Sequence, residues 1–237
     1  MDAEAGDSIE NRVAFVCNHI RAATRKAGRA DGSVQLVGAT KSVATGDIRR
    51  AVNAGLTLAG ENRLQEALPK IEALKDTGVI WHFIGRLQRR KVRSVVGIFD
   101  LIHSVDSLEL AHEIDRRAKA AGVRQKILLE VNIGEEHSKA GFLGDEVAGV
   151  LPQLGALDHV AVCGLMAIPP FMREPERARR YFRALRDLAA RLIERKISRI
   201  SMDELSMGMS HDYEIAIKEG ATLVRLGTAL FGERRGE

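Results

Sequence analysis

Aromatic residues make up only 4% of this 237-residue chain. So few rings leave little surface for stacking on bases, which argues against a nucleic-acid platform. Cysteine is nearly absent. Cys17 falls in the first helical pattern and Cys163 inside an apolar run. Neither belongs to a metal spacing or a disulfide framework, and a reducing cytoplasm fits. No apolar run approaches the ~18 residues of a membrane span. The longest, from Val160 to Ile168, contains a glycine. The acidic N-terminus lacks the cationic start and apolar block of a secretory signal. No strong charge excess exists either. Lys and Arg total 36 against 32 Asp and Glu, a net charge of +4. Attraction to polyanions is therefore weak at most.

What the chain does hold is a 45% apolar composition in a regular order. That suffices for one sizeable core, and one domain spanning residues 1–237 is expected. Apolar runs alternate with helical patterns. Strands are expected near 34–40, 56–60, 80–84, 99–103, 126–132, 159–165, 203–206 and 222–226. Amphipathic helices are expected near 8–28, 46–54, 63–76, 86–96, 107–121, 143–156, 174–195, 211–219 and 228–232. Leu108, Ala111, Ile114 and Ala118 recur at three- and four-residue steps, the helical period. The run Lys126-Ile-Leu-Leu-Glu-Val131 is almost continuously apolar, as in a parallel strand covered on both faces. Eight such strands with helices between them predict an α/β fold, a (β/α)8 TIM barrel. A doubly wound open sheet is the alternative. It needs a Gly-rich turn after its first strand, where this chain has Thr40-Lys41-Ser42.

In a barrel the active face lies at the carboxyl ends of the strands. Those ends carry Lys41, Glu61-Asn62, Gly85, Ser104, Asn132, Met166, Ser206 and Arg225 to Gly227. Leu36-Val-Gly-Ala-Thr-Lys41 reads as a buried strand delivering an amine. Leu205-Ser-Met-Gly-Met-Ser210 and Leu223-Val-Arg-Leu-Gly-Thr-Ala-Leu-Phe-Gly232 read as two strand ends rich in Gly, Ser and Thr. Gly227 and Thr228 follow the last strand, where barrel phosphate sites are commonly built. Ser206, Gly208 and Ser210 face the same pocket. An amine opposite a phosphate cradle is what pyridoxal 5′-phosphate (PLP) requires: a lysine for its Schiff base and N–H donors for its phosphate. Lys139, in a polar loop after the fifth strand, competes with Lys41 for that role. Arg225 shares a strand face with Gly227. A pyridine nitrogen is a plausible partner for it, and a salt bridge to Glu61 or Glu130 is the alternative.

These pieces resemble the pyridoxal phosphate homeostasis protein family, single-domain relatives of the alanine racemase N-terminal barrel. The resemblance runs from about residue 34 to 232. It rests on Thr40-Lys41, Glu61-Asn-Arg-Leu-Gln-Glu66, Trp81-His-Phe-Ile-Gly85, His103-Ser-Val-Asp-Ser107, Ser138-Lys-Ala-Gly141, Gly164-Leu-Met-Ala-Ile-Pro169 and the two Gly-rich segments above. It implies a monomer-sized barrel that binds PLP as a Schiff base on Lys41. It implies a phosphate held by Ser206, Gly227 and Thr228 with Ser210, and a ring nitrogen near Arg225. Asn62 and His82 match family positions that line the pocket. The implied role is homeostasis of this vitamin B6 cofactor: storage, delivery and control of its free level, with PLP-dependent apoenzymes as recipients. The sequence departs from the family at Arg86, usually Pro, and at Arg90, usually Asn. Arg86, Arg89, Arg90, Lys91 and Arg93 read as a solvated helix face.

Two other functions compete with this one. A PLP-dependent amino-acid racemase needs two positioned acid/base groups. In two-domain racemases a tyrosine from a partner's β-domain supplies one, and this chain stops about ten residues past the eighth strand. Tyr181 is expected in the core, and Tyr213 is the only stand-in. A nucleic-acid module on the Arg86–Arg93 face is opposed by low aromatic content and modest charge. Binding without turnover is the favoured reading.

Overall fold

The computed structural model describes residues 8–136 and 138–233. Eight strands form a closed barrel in which every neighbouring pair is parallel. They are β1 (Gln35–Ala39), β2 (Leu58–Glu61), β3 (Ile80–Phe83), β4 (Leu101–Val105), β5 (Gln125–Glu130), β6 (Val160–Met166), β7 (Ile200–Ser206) and β8 (Leu223–Leu226). The register closes with Val37 opposite both Leu58 and Arg225. The TIM-barrel expectation therefore holds, and the open-sheet alternative falls because β1 pairs with β8.

Helices pack outside: α1 (Ile9–Lys26), α2 (Thr45–Asn53), α3 (Leu64–Ala73), α4 (Leu108–Ala121), α5 (Gly144–Gly155), α6 (Arg179–Ile193), α7 (Tyr213–Lys218) and α8 (Thr228–Phe231). Their boundaries follow local chemistry. Ser8 accepts the Asn11 N–H and caps α1, and Ser107 accepts the Leu110 N–H and caps α4. Gly122 ends α4 in the left-handed region at φ +66°, where a side chain is disfavoured. The large core lies between strands and helices, with Ile48, Ile102, Ile114, Leu129, Leu151 and Phe182 fully buried. A smaller cluster of Val37, Leu58, Leu101, Leu128, Met166 and Leu223 fills the lumen. Gly164 lets β6 and β7 approach; a Cβ there would collide with the Glu204 backbone.

Two expectations differ. The segment expected as a helix over 86–96 is a single 3-10 stretch, Arg89–Ser94. Its cations have no acid three or four residues away to pair with, so a regular α-turn would crowd like charges. Val92, Val95 and Val96 still anchor it in the core, and Arg86, Arg89, Arg90 and Arg93 stay exposed. Tyr181 is half-buried rather than core. Its hydroxyl accepts from Arg180, and the neighbouring Phe182 takes the core position. No helix among the described residues is long and apolar enough to cross a membrane.

Candidate functional site

Lys41 follows β1 on a turn that is clamped from both sides. The Thr40 carbonyl accepts from Lys70 Nζ at 2.7 Å. Thr40 Oγ1 donates to Glu61 Oε1 at 2.6 Å, and Lys70 Nζ donates to the same oxygen at 2.7 Å. Glu61 is fully buried and Lys70 nearly so. On the other side of Lys41, Ser42 sits in the left-handed region at φ +60° and its N–H donates to Glu66 Oε2 at 3.0 Å. A non-glycine residue holds that conformation only when its surroundings over-determine it. From sequence alone Glu61 is a possible partner of Arg225. The structure gives it to Lys70 instead.

Lys41, Asn62, Gly227 and Thr228 line one cavity of about 620 Å³ at the carboxyl end of the barrel. Ala39 and Ser42 also line it, as do Arg12 of α1 and Arg50 of α2. Arg50 is paired with Glu10 at 2.8 Å. Arg12 Nε donates to the Leu230 carbonyl at 2.9 Å, which lays its guanidinium across the end of α8. Ser210 Oγ accepts from the N–H groups of both Gly227 and Ala229 at 3.3 Å. Hydroxyl oxygen thus sits where converging N–H donors favour an anion. Gly227 has φ −116° and ψ −72°. A Cβ there would make only ordinary contact, 3.5 Å, with the Ala39 carbonyl. The fold does not require glycine at this position; what the missing side chain leaves open is the cavity.

A second cavity of about 340 Å³ shares Asn62 with the first and is lined by Arg86, Ser104, Glu130, Asn132 and Lys139. Lys139 is paired with Glu136 at 2.5 Å and donates to the Ile168 carbonyl. It lines a different cavity from Gly227 and Thr228. The Glu130 carboxyl is pushed up to about 7, first by burial and then by Asp106, against the pull of Arg225, Arg86 and Lys139. Unfolded, it ionises near its ordinary 4.5. Between those pH values the folded chain keeps a proton that the unfolded chain has released. The contribution of this group to stability is full below about 4.5 and falls as pH rises to about 7. Glu130→Gln should remove that fall. Calorimetry should show its melting temperature near wild type at pH 4.5 and above it at pH 8. An equal offset at both values would contradict the assignment.

Three of the expected site residues lie inside the lumen. Ser206 and His82 are buried and line neither cavity. Arg225 is 6% exposed. Its Nη1 donates to Ser206 Oγ and, at 2.8 Å, to the Ser206 carbonyl; Nη2 donates to the Ala167 carbonyl at 3.0 Å. Burial lowers its pKa to about 10, against the attraction of Glu130 and Asp212. His103 Nδ1 meets Ser206 Oγ at 2.8 Å, and His103 Nε2 meets His82 Nδ1 at 3.0 Å. β4 and β7 are separated by β5 and β6, so the His103–Ser206 bond crosses the lumen. Burial drives His82 to about 4 and His103 well below its ordinary value. In both, burial favours the neutral ring.

Sequence reasoning missed Arg12, Lys70 and His103. Arg12 and Lys70 stand in helical patterns among many other cations, with nothing local to single them out. His103 stood in a quoted motif, but its partner lies 103 positions away. Tyr213 is buried at 9% exposure and lines neither cavity.

Residues 17–235 match the family described as alanine racemase, N-terminal domain. The chain is 47% identical over 224 residues to the pyridoxal phosphate homeostasis protein of Aquifex aeolicus, which covers 94% of this chain and 97% of that one. It is 36% identical over 231 residues to the protein of the same name from Escherichia coli K12, covering 96% and 97%. The solved structure of PipY from Synechococcus elongatus PCC7942, with PLP bound, superimposes with a TM-score of 0.83 at 37% identity. That match covers 95% of this chain and 100% of the other. The chain belongs to the pyridoxal phosphate homeostasis protein family.

Proposed function

We propose that this protein binds PLP at the barrel mouth and serves intracellular homeostasis of the cofactor, storing and delivering it without turnover of its own. The observation that carries this reading is the meeting of Lys41, Gly227 and Thr228 in one cavity, brought from opposite ends of the sequence. The donor set fits the group: an amine, hydroxyls, backbone N–H groups, and a guanidinium from Arg12. PLP brings an aldehyde that an uncharged amine attacks and a phosphate dianion that such donors accept.

Each residue has a distinct task. Lys41 supplies the covalent attachment, and the Thr40–Glu61–Lys70 clamp aims it. Gly227 leaves room for the phosphate. Thr228 and Ser210 offer hydroxyls, and Arg12 offers charge. Asn62 stands on the wall between the two cavities. Arg225, two residues before Gly227 on the same strand face, serves the ring nitrogen from the lumen. Ser206 and His82 act beneath it, because their buried polar atoms are already engaged. A guanidinium has no acceptor, so it donates to the ring nitrogen and leaves it unprotonated. That weakens the ring as an electron sink, which suits carriage better than catalysis.

The reading extends to a single domain acting as a monomer, with PLP-dependent apoenzymes as recipients. It is tested by incubating the protein with PLP, removing the excess and measuring retained chromophore. One bound cofactor per chain, with no D-amino acid formed from L-alanine, is expected. No retained chromophore would refute binding, and D-alanine scaling with protein would favour the racemase. Ser210→Ala should weaken PLP binding about tenfold or more, since a hydrogen bond to a charged group contributes about 1.5–3 kcal/mol. An unchanged dissociation constant would remove Ser210 from the phosphate site.

A further inference from the structure

We infer that His103 and His82 are positioning residues for Arg225, joined to it through Ser206 in a one-way hydrogen-bond chain that crosses the barrel. The inference rests on the reading above only for what Arg225 serves; the chain itself is a property of the protein alone.

The direction follows from donor counting. A guanidinium can only donate, and Arg225 Nη1 gives one hydrogen to Ser206 Oγ. Ser206 is fully buried, so its own hydrogen must find a partner inside the protein. The remaining partner is His103 Nδ1, at 2.8 Å. That nitrogen therefore accepts. A neutral imidazole with an accepting Nδ1 carries its hydrogen on Nε2. His103 Nε2 then donates to His82 Nδ1 at 3.0 Å. The same logic puts the hydrogen of His82 on Nε2, which faces Asp100 Oδ2 at 4.0 Å. Asp100 lies just before β4 and pairs with Lys126 at 3.3 Å, where the strands begin. Three hydrogen bonds run from His82 to the guanidinium, and each has one donor and one acceptor.

The chain adds a side-chain bond to those from the Ser206 and Ala167 carbonyls, which also hold Arg225. Two carboxyls, Glu130 and Asp212, attract the guanidinium from elsewhere. A buried arginine with two options is held in one only if its bonds are specific. Ser206 provides that bond, and His103 fixes the Ser206 hydroxyl as an acceptor toward Arg225. Without His103 the hydroxyl rotor is released, and the two carbonyls alone hold the guanidinium against the pull of Glu130.

Nitrogen-15 NMR of the histidine rings in the PLP-free protein at pH 7 tests the chain directly. Neutral Nε2–H tautomers are expected for both His82 and His103. An Nδ1–H tautomer or an imidazolium at either position would overturn the direction argued here. The second arm uses PLP-loaded protein. His103→Leu should shift the absorption maximum and weaken PLP binding about tenfold, the scale of one hydrogen bond to a charged group. His103→Gln, which still offers an acceptor and a donor, should restore both. A wild-type spectrum and affinity in His103→Leu would overturn the positioning role. If wild-type protein takes up no PLP, the site reading fails while the tautomers still decide the chain.

Discussion

Replacing Lys70 with methionine is expected to cost about 3–5 kcal/mol of folding free energy, the range for breaking a buried ion pair by removing one partner. The methionine keeps most of the volume, so packing is not what is lost. What is lost is the charge facing Glu61, which is fully buried with Oε1 bonded and Oε2 without a partner. A second buried bond, to the Thr40 carbonyl, goes with it. The double variant Glu61→Gln, Lys70→Met carries no stranded charge and should recover more than half of the deficit. With the Glu61→Gln single variant added, the cycle measures the coupling. Urea unfolding of the four proteins supplies the numbers. A Lys70→Met cost below about 1 kcal/mol would place the pair among ion pairs that contribute little. The double variant should still bind PLP more weakly than wild type, because the Thr40 carbonyl that precedes Lys41 has lost its donor.

Lys41→Ala should abolish covalent retention of PLP. The second amine near the mouth, Lys139, is engaged by Glu136 and by the Ile168 carbonyl. It lines the second cavity, on the other side of Asn62 from Gly227 and Thr228. A phosphate held at Gly227 therefore presents its aldehyde to Lys41. The loss should be near complete rather than partial, since no spare amine lines the first cavity among the described residues. Thermal stability should change little, because Lys41 is only half-buried and its turn is held by Thr40 and Ser42. Residual PLP bound without a covalent bond would be removed by dialysis. Undiminished covalent retention in Lys41→Ala would move the attachment point elsewhere.

Much of this was legible in the sequence because barrels repeat one rule. Buried parallel strands are apolar on both faces, so β5 and β6 stood out as runs, and glycines marked the helix ends. The carboxyl ends then placed Lys41, Asn62, Gly227 and Thr228 together before any geometry was known. The lumen was not legible in the same way. Ser206 reads as a phosphate ligand from its neighbours Gly208 and Ser210, yet alternation along β7 turns it inward, onto Arg225 and His103. Periodicity locates a residue on a face; it does not name the partner across the barrel. Lys70 shows the same gap. On α3 it looks like one more surface cation, and only the closure of the turn after β1 buries it against Glu61. The 86–96 segment failed for an electrostatic reason, since its apolar spacing suited a helix that its clustered cations opposed.

Position 41 carries the whole account. PLP-loaded wild-type protein can be reduced with borohydride, digested and mapped by mass spectrometry. One pyridoxyl-phosphate group on the peptide containing Lys41, and none on the peptide containing Lys139, is the result expected. Modification at Lys139, or scattered over exposed lysines with Lys41 unmodified, would contradict it.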